Sequence, residues 1–363
     1  MWRVTCLIGA CVCLWIGFSL FERGTDFNQF YSAAKLAGTG HLYDWGRLQE
    51  LELRNGAHPI PFGRLPVYAV LLKPLTALSY NQARVAWLLV NLAALIGFAV
   101  LWPVRRRQDA ITMVCWSVPA AILLSTGQDT GLFLFSVTVG LRLLQSKRDF
   151  LAGLVFSLCA AKFHLALGIP IFLLARRRWG ALAGGLAGGL IQLAISFAAE
   201  GRGWPARLLQ LSSISDFSPS PWKMPNLAGI THWLPYGGGL EAGLAVLLLA
   251  AVWIISRRSA LTVGATVAVL AGLMVSHHAY VYDALLLLPA CALGLRLPGP
   301  KELRFAALLL SVPVPYVLLI EDNASWVVAQ VAINGFGLAL IGLLAYHSLK
   351  KSGRIGAGLE ALV

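Results

Sequence analysis

The stretch KRDFLAGLVFSLCAAKFHLALGIPIFLLARRR, residues 147–178, decides how this chain folds. Its interior is apolar for long enough to enter a bilayer, since about 20 apolar residues cross the roughly 30 Å hydrocarbon layer. Bases bound it on both sides, Lys147-Arg148 before and Arg176-Arg177-Arg178 after. Bases flanking apolar blocks belong in the cytoplasm, so both ends belong on one side and a single crossing does not fit. The block is expected to be a hairpin of two short helices with its turn at Ala161-Lys162-Phe163-His164. Broken helices at membrane depth are tolerated only where they face protein or a water-filled cavity. A cavity is therefore expected beside Lys162 and His164.

Working outward, similar blocks run at 4–21, 84–104, 110–126, 129–145, 180–199, 240–256, 260–276, 280–296, 305–320 and 326–347. The chain is 58% hydrophobic and 12% charged, against about 25% charged in a soluble domain, which excludes an ordinary water-soluble fold. The expected fold is an all-α polytopic membrane protein, one membrane domain over residues 1–363, with about 11–12 transmembrane segments, some short and broken. The opening block reads as a retained signal-anchor, because it is long and lacks small residues at cleavage spacing.

The net charge of +13 is not a nucleic-acid footprint, because the bases sit in pairs and triplets at block ends with no aromatic platform between them. Placing Arg105-Arg106-Arg107, Arg257-Arg258, Arg296, Lys301, Arg304 and the tail Lys350, Lys351 and Arg354 in the cytoplasm puts both termini there. That leaves two large extracytoplasmic loops, 22–64 and 200–239, and requires 65–80 to be re-entrant or interfacial. The expected location is a bacterial inner membrane, with the polar residues gathered on the extracytoplasmic face. Cys6, Cys11, Cys13, Cys115, Cys159 and Cys291 all fall inside apolar blocks without metal or disulfide spacing.

Four polar points could carry chemistry. Asp26 follows the first block closely; it reads first as an N-cap with Gln29 as capping-box partner for an amphipathic helix bearing Phe27, Phe30, Tyr31 and Ala34, and, compatibly, as a carboxylate able to take a proton from an attacking hydroxyl. Lys162 and His164 read as snorkelling or turn-capping groups, or as donors to an anion, since charge at membrane depth is costly. Ser276-His277-His278 with Tyr280, Tyr282 and Asp283 reads as an interfacial loop with aromatic-belt tyrosines, or makes His278 a phosphate or base partner. Gly127-Gln128-Asp129 reads as a hairpin turn capped by Asp129. The second loop carries Trp204, Trp222, Lys223, Asn226, His232 and Trp233, suited to a sugar or headgroup or simply to anchoring. Adjacent histidines with no carboxylate cluster give no metal site, and no cofactor is expected.

Taken in order, these segments resemble glycosyltransferase family 87. The resemblance rests on Asp26 with Phe30-Tyr31-Ser32-Ala33-Ala34, Gly40 through Tyr43-Asp44, Pro61-Phe62, Leu71-Leu72-Lys73-Pro74-Leu75, Gly127-Gln128, Lys162-Phe163-His164, and Ser276-His277-His278 through Tyr282-Asp283. The chain departs from the family pattern at Phe163, His277 and Gly63-Arg64. The resemblance implies a GT-C membrane fold and an inverting hexosyltransferase that moves a hexose, expectedly mannose, from a polyprenyl-phosphate donor to a glycolipid or glycan acceptor. It maps the general base onto Asp26 and an outer-face histidine onto His278. Arg64, Gln128, Lys162 and His164 are the further candidates for binding the donor. The alternative from another class is a transporter or flippase for lipid-linked sugars, which the same polar cavity would serve without breaking a bond.

Overall fold

A computed structural model describes every residue except 1, 21–23, 57, 105, 214–219, 298–299, 322–324 and 350–363. Arg105 and the expected cytoplasmic tail Lys350, Lys351 and Arg354 lie outside the described residues. Among the described residues all regular structure is helical.

The first helix, α1 (Trp2–Leu20), leads to two helices of the first loop, α2 (Thr25–Leu36) and α3 (Trp45–Arg54), and then to the short α4 (Pro66–Leu72). After it come α5 (Tyr80–Leu101), α6 (Arg107–Cys115), α7 (Val118–Thr126) and α8 (Thr130–Gln145). The decisive stretch forms α9 (Asp149–Ser157), a 3-10 segment (Leu158–Leu165) and α10 (Gly168–Ala175). The long α11 (Trp179–Glu200) precedes α12 (Trp204–Ser212) and α13 (Leu227–Thr231) of the second loop. The chain closes with α14 (Gly237–Arg258), α15 (Leu261–Val275), a 3-10 turn (Val281–Leu287) running into α16 (Leu288–Gly294), α17 (Lys301–Leu309), α18 (Val314–Ile320) and α19 (Trp326–Leu349).

Five of these, α1, α5, α11, α14 and α19, are each long and apolar enough to cross a membrane, and the count rises to seven if the bent pairs α6–α7 and α17–α18 are each one span. The chain is thus an all-α polytopic membrane protein. The other expected segments are shorter: α8, α15 and the 281–294 run have 10–17 residues, and at 1.5 Å per residue none much exceeds 25 Å. They are shielded instead by their neighbours. Helix α15 is buried from Thr262 to Met274, and such all-round apolarity marks a helix in the middle of a bundle.

The stretch at 149–178 does turn back on itself. Helix α11 runs parallel to α9, with Gly184 against Phe150, Gly153 against Ala181 and Gln192 Nε2 donating to Ser157 O at 2.9 Å. The intervening chain has therefore gone out and returned, and Arg178 Nη1 meets Asp149 Oδ1 at 3.2 Å. In lipid, helices associate through close packing rather than through exclusion of water. Gly153 supplies that here, since any side chain on it would strike the Ala181 carbonyl.

The same kind of contact collects the bases at one end of the bundle. Arg142 Nε donates to Leu101 O at 2.6 Å, Arg176 to Ser259 O, Arg258 Nη1 to Ser348 O at 2.8 Å, and Arg296 pairs with Asp109. Trp2 Nε1 donates to Thr112 Oγ1 at 2.8 Å, which brings the start of α1 to this basic end. At the opposite, polar end, the first loop folds over the bundle around Phe27, Phe30, Leu42, Leu48, Phe62, Trp87 and Trp204. Segment 65–80 stays there too. Tyr31 Oη donates to Leu78 O at 2.8 Å and Lys73 Nζ to Ala37 O at 2.8 Å, and α4 with its seven residues is far too short to cross.

Candidate active site

A cavity of about 580 Å³ opens at the polar end, between the first loop, the α7–α8 turn, the kink after α9 and the loop after α15. Asp26, Arg64, Gln128, Lys162, His164 and His278 all line it. The six residues come from segments far apart in sequence and meet at one place.

Asp26 is not the cap of its helix. The N-cap of α2 is Gly24, in the left-handed conformation at φ 75°, without a side-chain cap bond. Asp26 falls in the first turn, 8% exposed, with its carboxyl toward the cavity. Nor is α2 an amphipathic surface helix, since Asn28 and Ser32 on its polar side are as buried as Phe27 and Phe30. Burial pushes the Asp26 carboxyl up to about 6, against the opposing pull of hydrogen bonds from Thr126 and Gln128 and of the charges on Lys162 and Arg64. A carboxylate near neutrality is the kind a general base requires.

Gly127 and Gln128 form the hub of the site. Gly127 stands at φ +81° with Phe27 so close that a Cβ would meet it at 2.6 Å, so only glycine lets α2 sit against this turn. Gln128 Nε2 donates to Tyr282 Oη at 2.9 Å, while Gln128 Oε1 accepts from Arg64 Nη2 at 3.4 Å. The neighbouring Asp129 makes no side-chain cap bond to α8. It instead accepts from Arg64 Nη2 at 3.0 Å.

Lys162 does not snorkel. It is 3% exposed and sits at the one residue of the 3-10 segment with non-helical backbone. Its Nζ donates to Thr130 Oγ1 at 2.7 Å and Asp283 Oδ1 at 2.6 Å, with Asp129 Oδ1 at 3.5 Å. Asp283 Oδ2 also accepts from Tyr280 N at 2.9 Å. Both cations in the cavity are thus already neutralised, Lys162 by Asp283 and Arg64 by Asp129, as a low-dielectric site requires. Arg64 Nη1 adds a bond to Ala161 O at 2.9 Å, which joins the first loop to the kink before Lys162.

The imidazoles occupy the other wall. The His164 ring lies 5.6 Å from that of His277 and 6.0 Å from that of His278. His278 stacks edge-on against Tyr280 at 5.0 Å, and Tyr280 against Tyr282 at 5.2 Å. Tyr282 is buried in the site and is not a belt residue. Burial lowers His278 to about 4, so at neutral pH it offers one N–H and no charge. Among the described residues no three of His, Cys, Asp and Glu are set to hold a metal ion.

Asp129 and Asp283, which the sequence offers only as a turn cap and as part of the histidine loop, belong to this site, and so does Thr130, which the sequence does not single out. The signal was present: carboxylates at the edges of apolar blocks are as costly as the lysine that attracted attention. From the second loop, Met224 joins the cavity wall. Asn226 is buried and donates to Ser276 O at 2.6 Å, fixing the histidine loop. Trp204 packs on Phe197, and Trp233 stacks on Trp326 and meets Trp222 at a tilt.

A second opening leads sideways. An apolar groove of about 190 Å³ passes between α4, α8, the 3-10 segment and α11, and ends at Asp129 and Lys162. Its outer lips, Leu71 and Leu158, are 63% and 51% exposed, so it opens on the face that lipid would cover.

No curated protein and no solved structure matches this chain. A family model does match, that of glycosyltransferase family 87, over residues 66–289, more than half the chain. Gln128, Lys162, His164 and His278 fall inside the matched span, and Asp26 and Arg64 precede it. With that match over a helical membrane bundle, the chain belongs to glycosyltransferase family 87, a family of membrane glycosyltransferases.

Proposed function

We propose that this glycosyltransferase moves a hexose, mannose in the reading the family resemblance favours, from a polyprenyl-phosphate donor to a glycolipid or glycan acceptor on the extracytoplasmic side. The observation that carries the proposal is the meeting of a buried carboxylate of raised pKa, Asp26, with Arg64, Lys162, Gln128, His164 and His278 around one cavity. The apolar groove reaching Lys162 supports a lipid donor, because a prenyl tail can lie in it while the phosphate stays among polar groups.

In this mechanism Asp26 accepts the proton of the acceptor hydroxyl as its oxygen attacks the anomeric carbon. The carbon–oxygen bond to the phosphate breaks on the opposite face, and the electron pair leaves with the polyprenyl phosphate. A β-linked donor then gives an α-linked product. The phosphate is already a good leaving group, so donors matter more than an acid. His164 and the neutral His278 can each offer an N–H group directly. Lys162 and Arg64, already paired, act by shifting hydrogen bonds from Asp283 and Asp129 toward the incoming phosphate.

A transporter needs a path to the other end of the bundle. The Lys162–Asp283–Thr130 cluster at the cavity wall is 3% exposed or less, and α15 is fully packed, so the described residues favour a reaction chamber closed toward the basic end. The test is transfer from radiolabelled polyprenyl-phosphate mannose in proteoliposomes. Labelled glycan product supports the reading, whereas movement of intact donor across the bilayer without product overturns it.

A further inference from the structure

A second groove, of about 150 Å³, lies at the polar end between α1, α5 and α7, on the outer surface of the bundle. Its walls are apolar, formed by Phe18, Val85, Leu88 and Leu124, and Val85 is 55% exposed. Two polar groups stand at its head. Arg84 makes no hydrogen bond or ion pair among the described residues. Ser125, 4% exposed, has a buried hydroxyl with no partner.

The catalytic cavity does not reach this place. Along the end of α7 the residues alternate, with Ser125 and Gly127 facing the groove and Thr126 and Gln128 facing the cavity. Gly24 N donates to Ser125 O at 2.8 Å and closes the wall between the two. A guanidinium and a hydroxyl without partners among the described residues, heading an apolar slot on a lipid-facing surface, are costly unless something completes them. The complement is an amphiphile with a phosphate at its polar end. Guanidinium binds phosphate through parallel N–H bonds, and acyl chains would cover Val85 and Leu88.

We propose that this groove is a binding site for one anionic phospholipid, its phosphate held by Arg84 and Ser125 and its chains lying against α1 and α5. The site is independent of the reaction assigned to Asp26 and is tested without an activity assay. The full chain, delipidated in detergent, is titrated with phosphatidylglycerol, phosphatidylcholine and inorganic phosphate and read by native mass spectrometry. Wild-type protein is expected to hold one phosphatidylglycerol about tenfold more tightly than phosphatidylcholine, the difference one charge-assisted contact makes. Arg84→Gln removes that preference, Arg84→Lys keeps part of it, and Leu88→Trp, which fills the slot, weakens both lipids. Arg258→Gln, at the basic end, changes nothing. Equal affinity for the two lipids in wild type, a preference that survives Arg84→Gln, or displacement of the lipid by millimolar inorganic phosphate with no effect of Leu88→Trp overturns the proposal.

Discussion

Lys162 Nζ lies 2.6 Å from Asp283 Oδ1, and the two residues, 121 positions apart, share Thr130 as a third partner. The pair joins the kink after α9 to the turn after α15 where both are deeply buried. Removing one member strands the other charge. We therefore expect Lys162→Met to destabilise the protein by about 3–5 kcal/mol, with Lys162→Met/Asp283→Leu recovering much of the loss. Thermal unfolding in detergent reads both. Equal loss in the single and double variants would mean that the pair does not act as a unit.

The state of Asp26 sets the pH dependence. Its carboxyl titrates at about 6 because burial outweighs its hydrogen bonds and the nearby cations. A general base works only when ionised, so kcat/KM is expected to rise with pH, bend near 6 and stay level through 7. A steady-state pH series on proteoliposomes measures this. A flat profile between pH 5 and 7 contradicts the assignment, the pH range being roughly one unit either side of the bend.

Glu52 gives a separate pH effect with opposite sign. It is fully buried on α3, accepts from Ile60 N at 2.7 Å through Oε2, and leaves Oε1 without a partner. Burial raises it from 4.5 to about 8. The folded state holds the proton that the unfolded chain gives up, so the contribution to stability is complete below the ordinary value and is lost as pH climbs to about 8. Ile60 and Arg64 share the strap that lines the cavity. Glu52→Gln is expected to keep activity and remove the loss of stability between pH 4.5 and about 8, while Glu52→Ala loosens the strap and raises KM. Parallel pH melts of wild type and Glu52→Gln decide it, and identical curves would contradict the role.

Packing of α9 on α11 depends on Gly153. A leucine there would collide with the Ala181 backbone, and overpacking of this kind costs about 1–3 kcal/mol or more. Gly153→Leu should lower the melting temperature and disturb the kink bearing Lys162, whereas Gly189→Leu, on α11 with open space around it, should be neutral. A comparison of the two melts is sufficient.

Much of this was legible in the sequence, for particular reasons. Bases at both ends of 147–178 require a hairpin, because charge cannot be left in lipid cheaply. Lys162 and His164 stand out as polar groups inside an apolar block, Asp26 by its place just after the first block, and Gln128 and His278 by their polar turns between blocks. What one chain read by itself does not reveal is pairing across it. Asp129 looked like a helix cap because caps are local and salt bridges to residue 64 are not. Asp26 was likewise read as a possible cap, since the sequence does not announce that Gly24 takes the left-handed turn. Segments such as 129–145 and 260–276 passed as full spans by composition, but their helices are short and buried by neighbours, a tertiary property outside any hydropathy window.

The proposed transfer depends on the Asp26 carboxylate as the base for the acceptor hydroxyl. Its most direct test is single-turnover hexose transfer by Asp26→Asn in proteoliposomes, with donor binding measured on the same preparation. The prediction is a fall in transfer of about 10²–10⁴-fold with donor affinity within a few-fold of wild type. Transfer at the wild-type rate by the asparagine variant would contradict it.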